Sequence, residues 1–255
     1  MIDVNSLPPW QLLLIVPVIA FLYASVGFGG ASGYLAAMSV LIIPTSVMSS
    51  TALTLNVFVS SIAFIAYYRA RHFTPRLLWP FLLTSLPAAF IGGYIQISTD
   101  LYLVLLYLSL NYVCFRMLFY SKSQSKLEEE LPSFPIWVGM IAGAIIGLLS
   151  GIIGIGGGIF LAPLIVLAGW GTPKQAAASA AAFILINSAS GLVGRIAGGN
   201  LDLGLLGLAL IPVGLLGAFG GSQIGSRYLS SAGMRRVLGI ILLIAVSRYW
   251  LSFLS

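Results

Sequence analysis

Charge is what this sequence has least of. Asp, Glu, Lys and Arg make up 7% of its 255 residues, against about 25% in a soluble domain. A chain so short of charge cannot cover itself with a water-facing surface. Cysteine is nearly absent too: Cys114 stands alone in an apolar run, which excludes a disulfide or thiolate-metal framework and suits a small core hydrophobe. His72 is the single histidine, and it lies in a basic loop. Asp3, Asp100, Glu128, Glu129, Glu130 and Asp202 all fall in polar loops or at the ends of apolar runs. No carboxylate is therefore placed to relay protons or hold a cation at membrane depth, which disfavours cation transport. Neither a metal nor another cofactor is expected.

Apolar sequence is what the chain has instead. Mean hydropathy is +1.06, and apolar runs fall at about 10–43, 46–68, 77–97, 101–120, 135–169, 175–198, 203–226 and 234–254. Most match the roughly 20 residues of one helical crossing. Unbroken runs argue for helices, because barrel strands alternate over about ten residues. The expected fold is an all-α polytopic protein with the lipid bilayer as its solvent, in eight to ten helical segments. The formal charge of +6 comes from Lys and Arg in short loops, where they set orientation and imply no nucleic-acid partner. Met1-Ile2-Asp3-Val4-Asn5 has no basic region and no small-residue cleavage pattern follows it, so no signal peptide is expected.

Two runs are too long. At 34 and 35 residues, the first and fifth would each extend about 51 Å as one helix, against a hydrocarbon core of about 30 Å. Both carry a glycine cluster near the middle: Gly27-Phe28-Gly29-Gly30 and Gly154-Ile155-Gly156-Gly157-Gly158. Each glycine gives up about 1 kcal/mol of helix propensity relative to Ala, and backbone that leaves the helix needs partners that lipid cannot supply. The economical path enters the membrane, turns at the glycines and comes back.

The long runs open two halves of similar length. Gly27, Gly29 and Gly30 precede Gly154, Gly156 and Gly157 by a constant 127 positions, and Pro44, Ser50 and Ser61 precede Pro173, Ser179 and Ser190 by 129. The steps Pro87 to Gly92 and Pro212 to Gly217 also match. The organisation read from this is a first repeat over 1–120, a polar cytoplasmic linker over 121–134 and a second repeat over 135–255. Arg69, Arg71 and Arg76, then Lys122 and Lys126, then Arg227, Arg235 and Arg236 fall on one side only if each long run returns to the side it entered from. That side is the cytoplasm, which puts both termini outside and makes the halves inverted repeats. Many secondary transporters are built this way, with the site at broken helices near the midplane.

A helix that restarts after a turn offers unpaired N–H groups carrying partial positive charge, and glycine lets an anion approach them. The expected anion site is therefore Gly29, Gly30, Ala31 and Ser32 from one half with Gly156, Gly157 and Gly158 from the other. Close helix packing would also use glycines. Two clusters related by a repeat, each halving an overlong run, favour the anion reading. At about 100° per residue, Ser50, Thr54 and Ser61 share a face, as do Ser179 and Ser190, with Asn187 within about 80° of Ser179; Asn56 lies on the flank beside Ser49 and Ser60. A polar stripe donating to anion oxygens is expected there, with interhelical bonding as the alternative. Arg195 ends the sixth run on the assigned outer side. It is expected to snorkel to the interface in preference to drawing anions into a vestibule. Lys174, on the cytoplasmic side, is a second anion-attracting candidate.

The run Gly154-Ile155-Gly156-Gly157-Gly158-Ile159-Phe160-Leu161-Ala162-Pro163-Leu164, then Gly171-Thr172-Pro173 and the helix from Ser179 to Ser190, resemble the sulfite exporter family TauE/SafE. The resemblance spans nearly the whole chain. Its first-half copy departs from the pattern, with Ala31 where another Gly is common and Ala36 where Pro163 stands in the second. The resemblance implies a multi-pass protein of the bacterial cytoplasmic (inner) membrane that moves small sulfur-containing or organic anions. A secondary transporter, by preference an exporter, of sulfite, thiosulfate or organosulfonates by alternating access is expected. H+ or Na+ is a candidate coupling ion, and a homodimer is one open arrangement. The alternatives are an uncoupled anion channel and a non-transporting membrane scaffold or subunit. Enzyme readings are weaker. Gly30-Ala31-Ser32-Gly33 has the Gly-x-Ser-Gly form of an intramembrane serine protease, but that chemistry needs a histidine within hydrogen-bond reach of the serine, and His72 is far from membrane depth. Nor is Gly154-x-Gly156 a dinucleotide fingerprint, since no strand–turn–helix unit surrounds it.

Overall fold

The computed structural model of the chain describes residues 10–119 and 136–228. The expected linker, the last apolar run and both termini lie outside those residues. Among the described residues all regular structure is helical: α1 (Trp10–Ala24), α2 (Ala31–Val40), α3 (Thr45–Arg69), α4 (Pro75–Tyr94), α5 (Thr99–Phe119), α6 (Ile136–Ile153), α7 (Gly158–Leu167), α8 (Pro173–Ala197) and α9 (Gly204–Arg227). Five of these, α3, α4, α6, α8 and α9, are long and apolar enough to cross a membrane.

Local chemistry sets the ends of these helices. Thr172 and Gln175 form a reciprocal capping box at the start of α8, with Pro173 in the first helical position, where its missing N–H costs nothing. Pro75 opens α4 in the same way. Both overlong runs are broken at their glycines, α1 from α2 and α6 from α7.

Packing partners repeat between the halves. α1 lies on α9 as α6 lies on α4; α3 lies on α9 as α8 lies on α4; α2 lies on α3 as α7 lies on α8. Exchanging α1–α4 for α6–α9 maps each of these contacts onto another, and α3 and α8 pack on each other at the centre. The halves interlock through α4 and α9. Backbones touch where small residues permit it. Gly143, Gly147 and Gly151 of α6 lie on the carbonyls of Phe81, Ser85 and Ala89 in α4, and Gly217, Gly221 and Gly225 of α9 lie on those of Pro17 and Phe21 in α1 and of Ser25 just past its end.

Large apolar side chains point outward from α1, α4, α5, α6 and α9, among them Leu14, Leu83, Leu108, Ile145 and Leu216. α3 and α8 are buried over most of their length. The breaks lie against these two central helices, so the irregular backbone of 25–30 and 154–157 is covered by protein on every side. That is where non-helical backbone is tolerated at membrane depth.

Candidate functional site

At each break the chain doubles back. Gly33 in α2 sits over Ile19 and Tyr23 of α1, and the Ser32 hydroxyl donates to the Tyr23 hydroxyl at 2.8 Å. Gly157 likewise approaches Ile146 of α6. Both returning helices start on a glycine N-cap with left-handed backbone, Gly30 at φ 98° and Gly157 at φ 77°, and no side chain caps either. Side chains rarely adopt this conformation. The first main-chain bonds made back to these caps come from Tyr34 and from Phe160 and Leu161. The N–H groups of Ala31, Ser32 and Gly33, and of Gly158 and Ile159, precede them and have no intrahelical acceptor.

The two breaks meet at one side chain. A Cβ on Gly29 would strike Oδ1 of Asn56, and a Cβ on Gly156 would strike its Nδ2; Ile184 would obstruct both. Asn56 Nδ2 donates to the Ile155 carbonyl at 3.2 Å and to Ser188 Oγ at 3.3 Å. Its Oδ1 is buried without a partner, as are Asn187 Oδ1, Ser179 Oγ and the Tyr34 hydroxyl. Asn187 Nδ2 donates to Phe183 O at 3.0 Å. The Tyr34 hydroxyl occupies the space a Cβ on Gly30 would need, so it lies at the start of α2. Buried polar atoms without partners cost about 1–3 kcal/mol each, so Asn56 Oδ1 and the Tyr34 hydroxyl, which lie against the break glycines, call for a ligand or solvent.

The remaining residues singled out in the sequence are dispersed. Ser50 Oγ accepts from the Asp202 N–H at 3.2 Å, Thr54 Oγ1 donates to Ser50 O at 2.8 Å, and Ser61 Oγ donates to Val57 O at 2.6 Å. Ser190 faces α4, donating to Leu86 O at 2.7 Å. Gly158 packs on Ile184 and the Ala180 carbonyl. Lys174, in the first turn of α8, lies near His72, which is in the loop between α3 and α4 and outside the membrane-spanning segments. There partial burial lowers the His72 pKa and the Lys174 charge lowers it further, against a bond with the Ser226 backbone that raises it. Ser188 and Tyr34 were not visible as site residues in the sequence. At 100° per residue Ser188 lies half a turn from Ser179, so a stripe anchored on Ser179 misses it.

Arg195 does not snorkel. It is 7% exposed, and its Nη2 donates to the carbonyls of Gly151 at 3.2 Å and Ile152 at 2.8 Å. These carbonyls belong to the last turn of α6, which carries partial negative charge. The Tyr102 hydroxyl takes the next one, Ile153, at 3.0 Å. In the first half the end of α1 is held by a neutral group, the Tyr67 hydroxyl donating to Ser25 O at 2.9 Å. Among the described residues no cluster of His, Cys, Asp or Glu is arranged to hold a metal ion.

Comparison with known proteins agrees with this architecture. The family model described as sulfite exporter TauE/SafE matches residues 12–249. A probable membrane transporter protein of Sinorhizobium fredii (strain NBRC 101917 / NGR234), y4hK, is 37% identical over 229 residues, 89% of this chain and 92% of its own length. A probable membrane transporter protein of Bacillus subtilis (strain 168), YunE, is 32% identical over 99 residues, 39% of this chain and 34% of its own. No solved structure matches.

Proposed function

Because the chain belongs to the sulfite exporter TauE/SafE family, and is with it a multi-pass membrane transporter, we propose that it carries a small sulfur-containing or organic anion, held between its two glycine breaks. Sulfite, thiosulfate and organosulfonates are the leading substrates, and export across the bacterial cytoplasmic membrane is the leading direction. The carrying observation is the convergence of two uncapped helix starts on Asn56. Each start contributes roughly half an elementary charge, so two facing one pocket offset a monovalent anion without any fixed cation. The Tyr34 hydroxyl, unpartnered and lying against Gly30, adds a donor. The free Oδ1 atoms of Asn56 and Asn187 favour a substrate that brings a proton or a water with it.

In this reading the halves are inverted repeats, both termini lie outside, and the residues around 121–134 link the halves in the cytoplasm. The pocket opens to each side in turn, with H+ or Na+ available as coupling ion. The absence of carboxylates from the described spans favours an anion as the transported species. Counterflow in proteoliposomes tests it. Sulfite, sulfate, thiosulfate, sulfoacetate and taurine are loaded in turn, and uptake of labelled substrate is followed. Trans-stimulation by one or more of them supports a carrier. Flux without trans-stimulation assigns an uncoupled channel, and no flux of any of the five assigns a scaffold or subunit.

A further inference from the structure

We propose that the cavity beneath Arg195 is a second oxyanion-binding site, an antechamber beside the break between α6 and α7. The cavity has a volume of about 250 Å³ and is lined by Ser46, Ser49, Gln96, Tyr102, Arg195 and Asn200, together with apolar residues and Thr45. Since about 10–15 Å³ of such space admits one water, it has room for an oxyanion with part of its hydration shell. Its lining holds hydroxyls, amides and one guanidinium, and no carboxylate. One carboxylate bonds to a lining residue, where Ser46 Oγ donates to Asp202 Oδ2 at 3.2 Å.

The charge on Arg195 is what needs explaining. A buried cation is costly unless paired, yet both hydrogen bonds of Arg195 go to main-chain carbonyls and its Nε has no partner. Capping a broken helix does not require it, because Tyr67 holds the end of α1 with a neutral hydroxyl. Half of the molecule does the structural work without charge, so the charge in the other half serves something else. A mobile counter-ion in the cavity completes the set: it neutralises the guanidinium and accepts from the Asn200 amide, which has a second N–H beyond the one given to Tyr94 O. The hydroxyls of Ser46, Ser49 and Tyr102 already donate to Asp202, Thr45 and Ile153. The place is also suited to delivery, since Ser49 lines the cavity and its backbone lies against Gly154 at the break.

This site stands apart from the one at the glycines, and its test reads equilibrium binding with no transport step. Sulfate is titrated into the purified full-length protein in detergent, and heat and melting temperature are recorded. Gln96 is exposed at the cavity, where its amide donates to Asn200 Oδ1, so Q96E adds a negative charge outside the core at the cost of that one surface bond. Q96E is expected to weaken binding by about tenfold or more through like-charge repulsion, with the ligand-free protein still folded and its melting temperature lowered only by the lost bond to Asn200. Q96L is expected to retain most of the affinity. R195K keeps the charge and is expected to bind measurably, whereas R195Q does not bind here. A wild-type isotherm in Q96E, or in a folded R195Q, overturns the proposal, as does the absence of any sulfate binding by the wild-type protein.

Discussion

The side-chain amide of Asn56 donates to the main-chain carbonyl of Ile155 across 3.2 Å, joining α3 of the first half to the glycine break of the second. The same amide presents its oxygen to Gly29 in the break of its own half. One neutral residue therefore touches both interruptions, bonded to the second and packed against the first. Asn56→Ala removes the bonds to Ile155 and Ser188 and leaves a buried carbonyl unpaired, so it should destabilise the protein by about 1–3 kcal/mol. Thermal unfolding in detergent checks this; an unchanged melting temperature would show that the amide does not join the breaks.

Room at the glycines is the next expectation. Gly29→Ala places a methyl group against the Asn56 oxygen and Ile184 and should lower the transport rate by about tenfold or more, the scale of a loss of about 1.4 kcal/mol or more. Gly199 provides the control. Its φ of +67° disfavours a side chain, as the backbone at Gly29 does not, but nothing lies within 4 Å of the position. Gly199→Ala should cost only about 1–2 kcal/mol of backbone strain and leave transport intact. Equal transport in the two variants would show that the open space at Gly29 is not needed for transport.

Neighbouring glycines on α9 should behave oppositely. Gly221 lies against the Phe21 main chain, whereas Gly220 meets only the edge of the Phe21 ring at 3.4 Å. Gly221→Ala must push α9 away from α1 and should reduce the yield of monodisperse protein sharply. Gly220→Ala should be neutral or slightly stabilising, since Ala gains about 1 kcal/mol of helix propensity. Size-exclusion profiles and melting temperatures separate the two.

His72 supplies a pH dependence. Partial burial first, and the Lys174 charge second, lower its pKa from the ordinary 6.5, so the folded protein releases this proton more readily than the unfolded chain. Between the lowered value and 6.5 the unfolded state binds more protons, and stability rises with pH there. As pH falls through 6.5 the melting temperature should drop, then level off below the folded-state pKa. His72→Gln should remove that component from the profile; an identical profile in the variant would contradict it.

How much of this the sequence shows depends on what kind of helix each residue occupies. The overlong runs around Gly29 and Gly156 are legible because a length mismatch and a glycine cluster coincide, and the helices stop at those glycines. The polar stripe on α8 is less legible for a physical reason. Angular periodicity reports the buried face of a helix that has an exposed one, but from Ala176 to Ile184 α8 is buried on every side. Ser188, opposite Ser179, thus reaches Asn56, while Ser190 turns to α4. Arg195 misleads through its position at the end of an apolar run, which suggests an interfacial cation. The carbonyls that bind it come from α6, some 44 residues earlier, and no local pattern records them.

The most direct test of a shared anion pocket is a crystal structure of the protein with selenate, located by its anomalous scattering. The account predicts a selenate between the two breaks, within hydrogen-bond reach of the first N–H groups of α2 or α7 and beside Asn56. Selenate found only away from both helix starts, with the breaks closed on each other through apolar side chains, would contradict it.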